Sequence, residues 1–437
     1  MPPSSEPYTC DEEKTVDDLT ELVSNRIPGK SLPREFYVDP KLFEEDLSRV
    51  LHANWLFAGH TCEIPEPGDY FLLPVGNEEL IVLRDKEVGI RAHFNVCRHR
   101  GSRIVTESCG RSRSLVCPYH QWVYKLDGCL VNARLMGEDF DATEYCLHSA
   151  AVRELAGLVF VYLSPDATTP DFDSFFECIE PQLRPHGLEG AKVAVRHRYE
   201  VRANWKTLVE NNRECYHCRV SHPEFCMSNY DLGLPGDTRT DEGFDATLER
   251  EYERWRDLGL SPEESSFPGG SPYRVSRLPL KEGFLTESLD GDLVAPLMGN
   301  LTDPRTGSLR IITLPNFWAH ANCDYVMTTR LLPADPELTR VEVCFLVRED
   351  AVAGVDYDPE RVAAVWRATC EQDWELCENS FAGIKSVAYE PGPFSEVTES
   401  SVEAFLQWYL DQLGEENGEL GGEPRRGSVP RRVSAFS

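Results

Sequence analysis

Two stretches decide the fold of this chain: NVCRHRGSRIV at residues 95–105 and LVCPYHQWVYKLDG at residues 115–128. Each holds one cysteine and one histidine close together, Cys97-Arg98-His99 and Cys117-Pro118-Tyr119-His120, with 17 residues between His99 and Cys117. Two tight loops can bring two thiolates and two imidazoles to one point. That donor set suits a [2Fe–2S] cluster with two Cys on one iron and two His on the other, at a potential of about −150 to +300 mV. Cys₂His₂ also suits tetrahedral zinc. Zinc fingers, however, keep the Cys pair and the His pair separate, whereas here each half holds one of each. Gly101, Gly110 and Gly128 suit tight loops. Trp122 and Tyr124 can shield a cluster from water.

Around these loops the residues alternate as short strands, at 70–75, 80–84, 90–96, 114–117 and 157–164, bounded by Gly, Pro and Asp turns. This predicts an all-β domain over 45–165, after an N-terminal segment, 1–44, whose first 30 or so residues are loosely ordered and whose end is an amphipathic helix running from 41 to 55. Pro165-Asp166 and Thr169-Pro170 mark the boundary. A second, mixed domain covers 166–413. It has strands at 192–201, 308–321, 324–333 and 339–348, a helix from Asn204, a charged excursion over 231–275, a long helix over 358–385 and a last one over 399–413. The class is α+β. The tail, 414–437, is Gly- and Glu-rich, then basic, and is read as disordered.

A chain of 437 residues exceeds one ordinary core. A net charge of −30 repels nucleic acid and anionic membrane surfaces, so neither is expected as a partner. No stretch is apolar enough to span a membrane and the N-terminus is not a secretory signal, so a cytoplasmic protein is expected. Most of the 15 cysteines read as small buried hydrophobes, Cys62, Cys129, Cys146, Cys178, Cys344 and Cys370 among them.

The second constellation is NWKTLVENNRECYHCRVSHPEF, residues 204–225. His217 and His222 are five apart, which a regular helix would offset by about 140°, so a break near Val220 and Ser221 is expected. Asp373, in CEQDWELCENSF (370–381), lies on a mostly apolar helical stripe with Val362, Val365, Trp366, Thr369, Cys377 and Phe381. An acid there needs a partner, either an Arg at a domain seam or a metal. Two His and one carboxylate form the facial triad of non-haem Fe(II) oxygenases.

The first segment resembles a Rieske [2Fe–2S] domain. With NWK…EN…ECYHC…HPE and VWRATCEQDWELCENSFAGIKSVAYEPGPFS (365–395), the whole chain resembles Rieske oxygenase α subunits. The likeness is strongest to the quaternary-ammonium branch: glycine betaine monooxygenase, stachydrine demethylase, carnitine monooxygenase and choline monooxygenase. The resemblance implies a Rieske domain joined to a helix-grip (START-like) catalytic domain in a homotrimer. It implies Cys97, His99, Cys117 and His120 as cluster ligands, and His217, His222 and Asp373 as ligands of a mononuclear iron. Glu214 becomes the carboxylate bridging that iron to the cluster of the next subunit. The expected reaction is O₂-dependent hydroxylation of an N-methyl group with loss of formaldehyde. Without a flavin or NAD fingerprint, electrons must come from a separate NAD(P)H-dependent flavin or ferredoxin-type reductase. Quaternary ammonium groups are held by aromatic faces, and Phe225, Tyr230, Phe317, Trp318, Tyr325 and Phe381 are the candidates. Phe381 stands where betaine-type relatives tend to have Gln. A hydroxylase of arenes or alkaloids, an electron carrier and a zinc-stabilised binding module are the alternatives.

Overall fold

The computed structural model describes residues 17–164, 169–230, 244–262, 264–266 and 272–414. The Pro165-Asp166 boundary, part of the 231–275 excursion and the tail from 415 lie outside them.

The N-terminal β module is a seven-stranded antiparallel sheet, in the order Leu56–His60, Leu158–Tyr162, Ser149–Leu155, Gly89–Phe94, Glu78–Asp85, Asp69–Val75 and Cys109–Arg111. A three-stranded sheet, Leu115–Val116, Val123–Tyr124 and Leu130–Asn132, stands beside it. The two Cys-His loops occupy corresponding places. Residues 97–101 follow the strand Gly89–Phe94, and residues 117–121 close the hairpin between Leu115–Val116 and Val123–Tyr124. In each loop the residue four past the cysteine is left-handed, Gly101 at φ 74° and Gln121 at φ 61°. Its N–H donates to the cysteine carbonyl, Gly101 to Cys97 at 2.9 Å and Gln121 to Cys117 at 3.1 Å. The second loop thus holds the same conformation without a glycine. Gly110, by contrast, sits in a strand rather than a tight loop.

The C-terminal region is α+β. Its antiparallel sheet runs Ala191–Val201, Leu338–Arg348, Val326–Asp335, Phe317–Ala321, Ser308–Thr313, Tyr273–Leu278 and Ser265–Ser266. Side chains alternate across this sheet. Phe317, Ile311, Leu309 and Val275 pack into one cluster with Phe57, Phe160, Phe172 and Phe175, which joins this sheet to the β module. Trp318, His320, Arg310 and Arg274 turn the other way, toward the long helix Pro359–Ile384. That helix begins where Asp358 accepts the Glu360 N–H at 3.0 Å, with Pro359 at its first position. Its predicted stripe is buried at Val362, Val365, Trp366, Thr369, Cys377 and Phe381.

Four expectations are corrected. The loosely ordered 1–30 contains a helix, Asp17–Ser24, and residues 1–16 lie outside the described set. The 231–275 excursion contains the helix Phe244–Asp257, whose Phe244, Leu248 and Trp255 are buried together with Leu260. Residue 273 there begins a true sheet strand. Finally, the helix from Asn204 does not run on to His217, although the break expected near Val220 and Ser221 is present, since the turn stops at Ser221 and His222 is non-helical. The helix Trp205–Asn212 ends before His217, and a single turn, Cys218–Ser221, has His217 at one end and His222 at the other.

The turn Asp46–Leu51, inside the predicted amphipathic segment, is widened to a π-turn. It buries Asp46 completely. The carboxylate accepts from Trp205 Nε1 (2.9 Å), from Tyr409 OH (2.6 Å) and from Lys206 Nζ. Burial pulls the Lys206 ammonium below its usual range, against the pull of Asp46. This knot joins the N-terminal segment, the helix before His217 and the C-terminal helix. Asp46→Ala leaves a buried ammonium unpaired, so urea unfolding should show a loss of about 3–5 kcal/mol. An unchanged urea midpoint would show that the knot does not hold these elements.

Candidate metal centres

In the β module, Cys97 and Cys117 are buried, and His99 and His120 are half-buried at its edge. The Nδ1 atoms of the two imidazoles face each other at 3.1 Å. His99 stacks on Trp122 with centroids 4.8 Å apart, and Tyr124 OH lies 3.2 Å from Cys97 Sγ. Burial raises the Cys97 thiol, with Tyr124 opposing. Desolvation lowers His120, helped by His99 and Arg100. The two thiols interact with each other and the two ring nitrogens meet, and this donor set fits a cluster.

In the C-terminal region, His217, His222 and Asp373 meet, although 150 residues of chain separate the second histidine from Gln372, the neighbour of Asp373. His217 Nε2 lies 3.2 Å and His222 Nε2 2.9 Å from Asp373 Oδ1. The other face of each ring is anchored. His217 Nδ1 meets Glu214 Oε1 at 2.5 Å. His222 Nδ1 meets Gln372 Oε1 at 2.8 Å, and Gln372 Nε2 donates to Glu224 Oε2 at 3.0 Å. Each Nδ1 thus donates outward, which turns the Nε2 lone pairs toward a carboxylate. His222 Nε2 is buried and has no hydrogen-bond geometry with any described residue despite the short separation. Lone pairs aimed at an anion require a cation between them, either a proton or a metal. For His217 burial opposes the proton, but Asp373 and Glu214 outweigh it and hold the imidazole up at about 9. Asp373 is held below its usual range, where burial would raise it, by the same two histidines. No Arg pairs with Asp373 among the described residues.

Cys218 also lies with His217 and His222 within 4.8 Å. It is disulfide-bonded to Cys215, so the pair brackets His217. The sequence reading had no signal for this pair beyond the CYHC spacing itself.

A cavity of about 460 Å³ opens on these three groups. Of the six aromatic candidates, Phe225 and Trp318 line it. The other four are placed elsewhere. Tyr230 packs on Phe244 at 5.2 Å. Phe317 turns to the opposite face of its strand, 4.3 Å from Phe57. Tyr325 is fully buried and donates to Glu287 O at 2.7 Å. Phe381 is in the core under Lys385, so its departure from Gln does not reach the cavity. Among the lining residues that the sequence did not mark are Trp366, on the same helical stripe two turns before Asp373, His320, two residues after Trp318 on its strand, and Arg213, Arg274 and Arg310. Behind them Glu287, fully buried, accepts from Trp366 Nε1 and Asn322 Nδ2, both at 3.0 Å. Burial would raise Glu287, but His320, Arg310 and Asn322 hold it down at about 2.

Comparison with known proteins agrees with this geometry. The family model "Ring hydroxylating alpha subunit (catalytic domain)" matches residues 188–415, and that of the Rieske [2Fe-2S] domain matches residues 54–151. The glycine betaine monooxygenase oxygenase subunit of Chromohalobacter salexigens is 40% identical over 399 residues, 91% of this chain and 89% of that protein. The carnitine monooxygenase oxygenase subunit of Acinetobacter baumannii is 33% identical over 209 residues, 45% of this chain and 54% of that one. The solved structure of a quaternary ammonium Rieske monooxygenase aligns with TM-score 0.68 and 23% identity over 92% of this chain and 99% of that one. The chain belongs to the ring-hydroxylating alpha-subunit family of Rieske non-haem iron oxygenases, which work with a [2Fe–2S] cluster, a mononuclear iron and O₂.

Proposed function

We propose that this chain is the oxygenase subunit of a monooxygenase that hydroxylates an N-methyl group of a quaternary ammonium compound of the glycine betaine type. The observation that carries this reading is the cavity beside His217, His222 and Asp373, walled by Phe225, Trp318 and Trp366. An alkylammonium accepts no hydrogen bond, and aromatic faces attract it by about 0.5–2 kcal/mol per ring. Trp366 donates its N–H to the ionised Glu287, which fixes the indole and enriches its face. The names of the glycine betaine and carnitine monooxygenase relatives point the same way.

We assign the cluster to Cys97, His99, Cys117 and His120, and the mononuclear iron to His217, His222 and Asp373. Bound there, they supply electron transfer and dioxygen activation. The protein's own part is to position. Glu214 and Gln372 fix the two imidazoles, and the aromatic wall presents one N-methyl group to the triad and excludes water. The balance is one substrate, one O₂, two electrons and two protons, giving water and an N-hydroxymethyl ammonium. That product releases formaldehyde, the nitrogen keeping the C–N electron pair and the hydroxyl losing its proton. The electrons come from a separate NAD(P)H-dependent reductase, and a cytoplasmic enzyme would share the compartment of that partner. No helix among the described residues is long and apolar enough to cross a membrane. We further propose a homotrimer in which Glu214 joins His217 to the cluster histidines of the adjacent subunit.

Anaerobically prepared protein should contain about three irons per chain and be red-brown. Cys117→Ser should abolish the visible spectrum. His217→Ala should keep it and lose one iron. Zinc in well-folded protein would refute the assignment.

In metal-free protein the charged His217 stabilises the fold fully below its unfolded pKa of about 6.5, and this is lost as pH rises through about 9. Iron needs the neutral ring. Fe(II) affinity, measured by anaerobic chelator competition, should therefore rise about tenfold or more per unit from pH 7 toward 9, then level off. An affinity independent of pH would contradict the assignment of His217.

With O₂ and a surrogate reductase, glycine betaine should yield formaldehyde. Arenes turned over in its place would overturn the proposal. Glu214→Gln should keep both metal centres and fast cluster reduction, while electron transfer onward falls by orders of magnitude. Onward transfer at the wild-type rate would remove Glu214 from the path.

A further inference from the structure

Besides Arg277, three arginines line the same cavity, Arg213, Arg274 and Arg310. Arg213 closes the helix Trp205–Asn212 and is only 8% exposed. Arg274 and Arg310 come from adjacent antiparallel strands. Arg310 pairs with Ser276, two residues on from Arg274, so both side chains fall on the cavity face. Arg213 Nε and Nη2, Arg274 Nε and Arg310 Nε are buried without a hydrogen-bond partner among the described residues. The side-chain bonds the three do make are Arg274 Nη2 to the half-exposed Glu264 and Arg310 Nη2 to Asn229 Oδ1, both at 2.9 Å. The Arg310 guanidinium also lies 5.6 Å from the Phe225 ring centroid, so this cation borders the aromatic wall.

An unpartnered Nε alone does not mark a site, since the Nε atoms of Arg26, Arg277 and Arg330 are buried and unpartnered as well. Arg213 stands apart because its Nη2 is unpartnered too and it makes no side-chain bond among the described residues. Arg277, on the same strand as Arg274 and 1% exposed, donates to Thr306 O at 2.9 Å and to Gln182 O. Glu287 offsets part of the Arg310 charge, but its oxygens already serve His320, Asn322 and Trp366, and it makes no hydrogen bond to the three arginines among the described residues. Burial, and then the charge of Arg274, draws the Arg213 guanidinium down to about 9. Three clustered guanidiniums with free buried N–H groups are unfavourable by themselves and favourable around an anion. Their planar forks match a carboxylate.

We propose that Arg213, Arg274 and Arg310 form a clamp for a carboxylate on the substrate. With the ammonium on Phe225, Trp318 and Trp366, the preferred substrate is a zwitterion, and choline, which lacks the acid, is selected against. This deepens the proposed function and rests on it for the ammonium half alone.

The test is anaerobic calorimetric binding to the metal-loaded enzyme, with glycine betaine, its methyl ester, choline and benzoate as probes. Wild type should bind glycine betaine about tenfold or more tighter than the ester or choline. Arg213→Met, Arg310→Met and the partly exposed Arg274→Gln should each weaken glycine betaine about tenfold or more and change choline less than about twofold. Their melting temperatures should stay level or rise, because a repelling cation is removed. Equal wild-type affinity for glycine betaine and choline would overturn the clamp. So would variants that bind glycine betaine normally, or that lose both ligands together. If choline is bound as tightly as glycine betaine and is demethylated, the clamp fails while the proposed reaction stands. If benzoate binds through the arginines and no ammonium compound binds, the clamp stands and the ammonium reading fails.

Discussion

Everything in the catalytic half is arranged around one constraint: Asp373, a carboxylate inside the protein, faces two imidazole nitrogens that cannot themselves neutralise it unless they carry protons or share a cation. An ionised acid is costly to bury, and the cost is offset only by charge and well-directed donors. The long helix fixes one side of this meeting, since Asp373 belongs to a stripe whose other members are buried. The single turn Cys218–Ser221 fixes the other, with the histidines at its two ends. Five residues of continuous helix would splay them. The turn stops at Ser221 and His222 leaves the helical conformation, at φ −124° and ψ 68°, which removes that geometry, and the Cys215–Cys218 link closes the loop.

The orientation of the imidazoles depends on a second layer of polar contacts. Glu214 takes the Nδ1 side of His217, while Gln372 takes that of His222 and is itself held by Glu224. Such partners settle which ring nitrogen carries hydrogen and raise the basicity of the other. The helix that leads into this segment is tied down by the Asp46 knot, more than 150 residues away in sequence. A remote buried ion pair thus anchors the helix that leads toward His217, which is one way that positions far from the chemistry can alter it.

Legibility followed the range of the interaction. The two Cys-His loops were readable because each is local: cysteine, histidine and the left-handed residue lie within five positions. The triad was half readable. His217 and His222 share a motif, while Asp373 stood out only as an acid on an apolar stripe. The cavity wall was least readable, because it depends on which side of a strand each residue faces. Trp318 and Phe317 are neighbours with the same propensities, and pairing with Ile312 or Thr313 sends one to the cavity and the other to the β module. Trp366 lay on the stripe already drawn, two turns before Asp373, but was read as core packing. The helix Phe244–Asp257 was masked by its charge, although Phe244, Leu248 and Trp255 keep a helical spacing of four and seven.

The net charge of −30 describes the outside of the molecule and misleads about the inside. Around the cavity the acids are committed: Glu214 to His217, Glu287 to His320, Asn322 and Trp366, Asp373 to the two histidines. The bases are committed only in part: Arg274 pairs with Glu264 and Arg310 with Asn229, while Arg213 makes no side-chain bond among the described residues. A surface excess of acid contributes little at this depth, since solvent and salt screen it within about 10 Å, whereas desolvated groups within the cavity act on one another with little screening. Such a cavity favours a ligand that carries both signs at a fixed spacing. It disfavours a bare cation near the arginines and a bare anion near Asp373. Selectivity in this fold therefore comes from which buried charges are left free, a property that composition does not report and that only the folded arrangement of committed and uncommitted partners defines.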